Sequence, residues 1–391
     1  MKYRLLELVC CPACGNELRV EGFESEATAG LSALPPSVVC RRYCGLLNCA
    51  ATNVQPNDCL KCYRTEIVAG KLYCECGENY PIIGGIPRLL PTALLAESLA
   101  RYHRDFVDRY RDKFPKVELL QHGDDKKLAT MHTFGYQWTT FVRNFDYFKE
   151  IFLSFVRPFL EPADFDQRLV LEVGCGSGRP ASVASSFGAE VVAVDLSEAV
   201  QTAYGQSRHY PQLHVVQGDA YALPFRRCFD FVYSVGVIQH LPDPAKAIQS
   251  IAHVVPQGHK LVIWVYGKRE RWYQPIEWLR KLTVRIPYSW LRVLSYILAV
   301  LSEIALLIPY RLMSRIPFTQ RLAEKIPGRI YAHFPFKENV LGWFDRLGAP
   351  VTHYFSKDEV ERMLSNAGFA QIAVVGRPGA SASWVAEAIR Q

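Results

Sequence analysis

The stretch best suited to chemistry is Leu171-Glu172-Val173-Gly174-Cys175-Gly176-Ser177-Gly178, an apolar run that opens into three alternating glycines. Glycines so placed let the backbone take positive φ and come close to a ligand. A dinucleotide fingerprint sets its third glycine three positions after the second, where Arg179 stands; here it falls at Gly178, which disfavours a nicotinamide cofactor. Asp195 closes the run VVAVD, where a carboxylate can accept both hydroxyls of a ribose. Gly218 and Asp219 close LHVVQGD, where a carboxylate and neighbouring amides can pair with an adenine edge. Three strand ends thus offer one nucleoside-shaped site.

A second constellation is built from thiols. Ten of the twelve cysteines lie before position 77, which marks a separate module. Cys11-Pro-Ala-Cys14 has the two-residue gap that lets two thiolates share a tetrahedral zinc, and Cys74-Glu-Cys76 supplies a second pair. Cys40 and Cys44, with the knuckle Cys59-Leu-Lys-Cys62, offer donors for a second site, and spacing alone leaves both the ligand pairing and a metal-free ribbon open. The start of the chain meets paired cysteines before any apolar run of about 7 to 15 residues, so no secretory signal is expected. Thiols in a reducing, cytoplasmic setting favour metal over disulfides, and a metal would replace the core that so short a module lacks.

These groups need elements to hold them. RLVLEV, EVVAVDL, LHVVQGD, FDFVYSV and KLVIWVY are short apolar runs separated by helical patterns, which predicts a parallel α/β sheet covered on both faces. SKDEVERMLSNAGF reads as a helix with a glycine stop, and QIAVVG and SWVAEAI as a closing antiparallel hairpin. Four regions follow: a cysteine-rich ribbon over 1–92, a helical connector or cap over 93–160, an α/β core over 161–266 and 350–391, and a helical insertion over 267–349. YPIIGGIPRLLP reads as a strand, a tight turn and the exit from the ribbon.

EVGCGSG, VVAVDLS, QGDAYALPF, FDFVYSVGVIQHLPDP and the closing hairpin together resemble class I S-adenosylmethionine-dependent methyltransferases of the type-11 group, a Rossmann-like fold. That resemblance implies that Gly174, Gly176 and Gly178 cradle the methionine and ribose portion, with Glu172 orienting the loop or the amino group. It further implies that Asp195, with Leu196 beside it, holds the ribose, that Gly218, Asp219 and Ala220 meet the adenine, and that Ser234 lines the methionine side. In MHTFGYQWTTF, Tyr136 and Trp138 are candidates to close over the cofactor. His240 follows the fourth core strand, where the transferred methyl should point, and is the candidate base. Gln239 stands where related sequences often carry another histidine, and Asp243 and Tyr266 are weaker candidates. The cysteine module resembles the zinc ribbon of the methyltransferase-activator family, with Cys11, Cys14, Cys74 and Cys76 as ligands of a structural zinc. It departs from that pattern in the one-residue gap of its second pair and in Gly84, where an Asp is common.

Lys plus Arg exceed Asp plus Glu by 7, and the excess is local: residues 268–329 carry twelve basic side chains against four acidic. In WLRVLSYILAVLSEIALLIP, Arg292, Ser295, Ala299, Ser302 and Glu303 form a narrow polar stripe beside a wide apolar face. Arg292 and Glu303 interrupt any span of about 20 apolar residues, so a membrane crossing is disfavoured. A buried lid helix is the favoured expectation, and peripheral contact of 285–315 with an anionic membrane, at its inner face, is the alternative. No RNA-binding signature accompanies the basic excess, so a small-molecule or lipid-linked methyl acceptor ranks above rRNA or tRNA. A non-catalytic scaffold that retains the fold is the competing class, although such a protein has no need of an intact glycine loop and Asp195.

Overall fold

A computed structural model of the chain describes all residues except 115–124, 142–147, 269–272, 327 and 379–381. The expected helix within WTTFVRNFDYFKEIFLSFV therefore lies partly outside the described residues, as do Arg269, Glu270 and Arg271 of the basic segment.

Five buried strands form the parallel centre: β5 (Leu169–Val173), β6 (Glu190–Asp195), β7 (Leu213–Gly218), β8 (Phe231–Val235) and β9 (Lys260–Tyr266). Their runs of Val, Leu and Ile are continuous because both faces of the sheet are covered. The antiparallel hairpin β10 (Phe369–Gly376) and β11 (Ser383–Arg390) closes one edge, with β11 against β9. The ribbon supplies β1 (Arg19–Ala27), β2 (Thr65–Tyr73), β3 (Asn79–Ile83) and β4 (Ile86–Leu89), joined as an antiparallel meander.

The ribbon is not a separate bead. β4 pairs in parallel with β7, Arg88 opposite Gln217 and Leu89 opposite Gly218, giving one eleven-stranded sheet in the order β1-β2-β3-β4-β7-β6-β5-β8-β9-β11-β10. The segment expected to leave the ribbon is in fact its joint to the core, and Leu5, Val9, Ile82 and Leu89 share one apolar cluster with Val173, Val192, Val194 and Val216.

Two buried carboxylates at the ends of β6 fix this joint. Glu190 accepts hydrogen bonds from Arg4 (3.0 and 3.1 Å) and from the Tyr63 hydroxyl (2.8 Å), and lies 3.0 Å from His214 Nε2. Glu198, three residues past the end of the strand, takes Arg88 (3.0 Å), Ser98 (2.8 Å) and Gln217 (3.1 Å), with His103 Nε2 at 3.2 Å. Arg4, Tyr63 and Arg88 come from the ribbon and Ser98 and His103 from the connector, so the ribbon supplies the cations and both regions supply hydrogen-bond partners for carboxylates that the core has buried. Despite burial, these neighbours hold both carboxyls below the usual carboxylate range.

Helices that bear on the site are α1 (Asp125–Thr140), α2 (Phe148–Val156), α3 (Arg179–Ser186), α4 (Gln274–Thr283), α5 (Tyr288–Ser302) and α6 (Phe336–Gly348). The insertion folds as expected into helices, but α5 is turned the other way round from a buried lid helix. Leu291, Ser295, Ala299 and Ser302 face inward, while Val293, Tyr296, Ile297, Val300 and Leu301 are exposed.

Candidate functional site

The strand order reverses beside β5, and parallel sheets bind ligands at that switch point, outside the carboxyl ends of their strands. A cavity of about 310 Å³ opens there. Its floor is the glycine loop between β5 and α3, where Gly174 and Gly176 have φ of 82° and 50°. A Cβ on Gly174 would stand 2.1 Å from Val237, and one on Gly176 would lie 3.1 Å from the indole nitrogen of Trp138, so the loop lies directly under that ring.

Asp195, Leu196, Gly218, Asp219 and Ala220 all line this cavity with Gly174, Gly176, Trp138 and His240. Asp195 accepts from the Gly176 amide (2.9 Å) and from the amide and hydroxyl of Ser197 (2.8 and 2.7 Å), which fixes its carboxylate above the loop. Burial raises its pKa against these bonds. Oδ1 is filled by the two Ser197 donors, so at most one acceptor position, on Oδ2, is left for a ribose hydroxyl, rather than room for both hydroxyls as the sequence suggests. Asp219 accepts from the Tyr221 amide (3.0 Å) and pairs with Lys127, a partner on α1 that the sequence reading missed.

Lys127, Thr130, Met131, Phe134 and Trp138 recur every three or four residues and present one face of α1 to the cavity. That spacing was the available signal, and it explains a correction. Tyr136, two residues from Trp138, faces away and stacks between Tyr288 and Phe344, outside the lining.

Three other expected cofactor residues also lie behind the wall. The Ser234 hydroxyl is fully buried and donates to the Val173 carbonyl (2.8 Å), tying β8 to β5. Gly178 approaches the backbone of Ala203. Glu172 lies beneath the loop, accepting from the Tyr233 hydroxyl (3.2 Å) and the Ala181 amide, and burial pushes its carboxyl up to about 8.

At the far end, His240 is buried, with Phe134 and Tyr266 at ring-centroid distances of 5.0 and 5.4 Å. Its Nδ1 lies 3.0 Å from the Val351 carbonyl, which can only accept. Nδ1 therefore carries the proton, and Nε2 keeps its lone pair while the ring is neutral. Burial lowers the pKa of this imidazole. Tyr266 donates to Asp345 (3.2 Å), and Arg179, stacked 4.1 Å over Phe148, pairs with Glu338 (3.4 Å). Glu338 and Asp345 lie on α6, so the insertion forms this end of the cavity. Asp243 instead caps the helix Pro244–Val254 through the Lys246 amide, while Tyr354 donates to Glu277 and Trp343 to Ser302.

In the ribbon, the Sγ atoms of Cys11, Cys14, Cys74 and Cys76 all lie within 4.8 Å of one another, with Cys11–Cys76 at 3.7 Å and Cys14–Cys74 at 3.5 Å. A tetrahedral zinc with thiolates at about 2.3 Å needs S···S edges of about 3.8 Å, so the donor set fits. Among the described residues no second cluster of this kind forms: Cys40, Cys44, Cys59 and Cys62 do not close to such distances.

With this geometry in hand, comparison with known proteins matches residues 171–263 to the methyltransferase domain family and residues 2–85 to the Trm112p-like protein family. The chain joins a methyltransferase domain to a Trm112p-like module. An O-methyltransferase of Penicillium expansum is 34% identical over 110 residues, which are 27% of this chain and 39% of that protein. A ubiquinone biosynthesis O-methyltransferase of Leptothrix cholodnii is 24% identical over 162 residues, 38% of this chain and 63% of that one. The chain thus spans less than two thirds of either relative's length. A solved S-adenosylmethionine-dependent methyltransferase from Aquifex aeolicus aligns with a TM-score of 0.36 at 15% identity, covering 64% of this chain and all of that one. The glycine loop and strand order of the methyltransferase domain are those of the class I S-adenosylmethionine-dependent fold, and the Trm112p-like module carries the four-thiol cluster.

The state of Glu172 gives a pH test. Its carboxyl ionises near 4.5 when exposed and near 8 in the fold, so its contribution to stability is complete below pH 4.5 and is lost as the pH rises toward 8. Glu172→Gln cannot ionise. Its melting temperature relative to the native chain should therefore climb between pH 5 and pH 8; a constant difference across that range would show that the native carboxyl is already ionised.

Proposed function

We propose that the chain is an S-adenosylmethionine-dependent methyltransferase acting on a small-molecule or lipid-linked acceptor. The observation that carries this reading is the convergence of Gly174, Gly176, Asp195, Asp219 and His240 on one cavity at the switch point of the sheet. When bound, S-adenosylmethionine supplies a methyl group on a cationic sulfur, open to in-line attack.

The residues of the chain then have distinct tasks. Asp195 accepts from the ribose, the glycine loop lets the methionine portion lie against backbone, and Trp138 covers the loop so that water is kept out. The lining carries four carboxylates, Asp195, Asp219, Glu338 and Asp345, against three cations, Lys127, Arg179 and Arg377; Asp219 and Glu338 are paired with Lys127 and Arg179, which leaves Asp195 and Asp345 to face a cationic ligand. Positioning of the acceptor falls to Tyr266 and Asp345, and transfer then depends chiefly on proximity and on removal of one proton. His240 takes that proton at Nε2 from an acceptor hydroxyl, while Nδ1 stays bound to Val351. Because burial depresses its pKa, the ring is neutral at pH 7, and the acid limb of kcat falls below the ordinary imidazole value of about 6.5.

Calorimetric titration of the full chain with S-adenosylmethionine should give one site. Asp195→Ala should weaken it by about tenfold or more, the worth of a hydrogen bond to a charged group. With an acceptor in hand, His240→Ala should lower kcat more than tenfold and leave this affinity unchanged. Absence of binding to the native chain would overturn the reading in favour of a scaffold, and native-like turnover of His240→Ala would remove it from the mechanism.

We further propose that Cys11, Cys14, Cys74 and Cys76 hold one structural zinc. Elemental analysis should find one zinc per chain, and its removal by a chelator should lower the melting temperature, since the metal replaces core that the ribbon lacks. Freshly prepared, fully folded protein without zinc would defeat this assignment.

A further inference from the structure

Seventeen of the twenty exposed large apolar side chains among the described residues lie between Trp278 and Phe336. They are not scattered. α5 continues through a wide helical turn at Glu303–Leu307 into the helix Ile308–Met313, so that Tyr288–Met313 is one rod of 26 residues. Its inner stripe of Leu291, Ser295, Ala299 and Ser302 lies on α6, where Asn339 donates to the Ala299 carbonyl (3.2 Å) and the Ser302 hydroxyl (3.0 Å). Three of the four residues of that stripe are small or polar, whereas Trp290 (67% exposed), Ile297, Leu301 and Ile304 face outward. A helix beside water has the opposite polarity. Phe318, 86% exposed, extends the apolar face beyond the rod, and Trp278, 71% exposed, extends it onto α4.

Charge identifies the occupant. Lys281, Arg285, Arg292, Arg315, Arg321 and Lys325 are exposed along the same segment. Its acids are largely spent internally: Glu277 pairs with Arg280 and Glu303 with Arg311, which leaves Glu324 as the exposed one among the described residues. A second copy of this chain would bring the same cations against these. An anionic bilayer offers the opposite charge at its surface and an apolar layer beneath it, with interfacial depth suited to tryptophan. The rod is long enough to span, at about 1.5 Å per residue, but its inner stripe is bonded to α6. It therefore lies along the surface.

We infer that the insertion is a monotopic platform that seats the protein on an anionic lipid surface through the outer face of 278–322. α6 stands between this face and the cavity, holding the rod on one side and contributing Glu338 and Asp345 to the acceptor end on the other. The acceptor is thereby a lipid-linked molecule that reaches His240 from the bilayer. This last step rests on the proposed methyltransferase reading; the docking does not.

Full-length protein should sediment with vesicles of phosphatidylglycerol mixed with phosphatidylcholine, and at least about tenfold more weakly with phosphatidylcholine alone, because several basic residues contribute near an anionic surface. Trp290→Ser with Phe318→Ser, and separately Arg285→Glu with Arg292→Glu and Arg315→Glu, should each abolish sedimentation. Both variants should bind S-adenosylmethionine as the native chain does, so a failure of docking and a failure of the cofactor site are read separately. Native protein that stays in the supernatant with either vesicle overturns the inference. So does a dimer that Trp290→Ser dissociates while vesicles remain unbound.

Discussion

Glu190 and Glu198 bracket β6, and their neutralisation is the constraint on which the architecture depends. A carboxylate buried without its partner costs about 3 to 5 kcal/mol, and here one such group opens β6 and a second lies three residues past its end. Their cations come from the ribbon, as Arg4 and Arg88. The ribbon is consequently part of the methyltransferase fold: it supplies charges, an edge strand and apolar side chains that the core would otherwise leave unsatisfied. Zinc held by Cys11, Cys14, Cys74 and Cys76 would act on the candidate site through this joint.

That dependence reaches the cavity over a short path. Asp195 ends β6 three residues before Glu198, and Gly218 and Asp219 follow Gln217, which bridges Arg88 and Glu198. The Asp195–Glu198 turn and the β7 exit are therefore set by the same buried network, from beneath, while α1 meets the β7 exit through Lys127 and the glycine loop through Trp138. A site assembled from three strand ends and a separate helix tolerates little error in position. Through these bonds, distant ribbon residues are tied to the cavity walls.

Much of this was legible in the sequence, and the parts that were not share a cause. Parallel strands buried on both faces write continuous apolar runs, so β5 to β9 could be read, and the glycine loop and Asp195 follow from local spacing. Long-range pairing leaves no such trace. Ile86–Leu89 looked like an exit because a proline sits in it, and only β7 opposite shows that it is a joint. Arg88 and Glu198 are 110 residues apart and meet through the fold alone. Ser234 follows from the family resemblance and Tyr136 from the likeness of its segment to a cap, but strand pairing turns the first toward Val173 and helical phase turns the second away. The polar stripe of α5 was visible; that Ser295, Ala299 and Ser302 of it face inward while Arg292 stays exposed was not, because an amphipathic pattern does not say which side meets the protein.

The insertion completes a division of labour in which one polypeptide brackets the cavity from both sides: a thiol-bearing ribbon secures the strand ends, and α6 of the insertion closes the far end with Glu338 and Asp345. The central claim, that three strand ends and α1 enclose one nucleoside, is tested most directly by hydrogen–deuterium exchange of the full chain with and without S-adenosylhomocysteine. Slowed exchange concentrated in 174–178, 195–197, 218–220 and 127–138 is the expected result. Folded protein whose exchange in these four segments is indifferent to saturating ligand would contradict it.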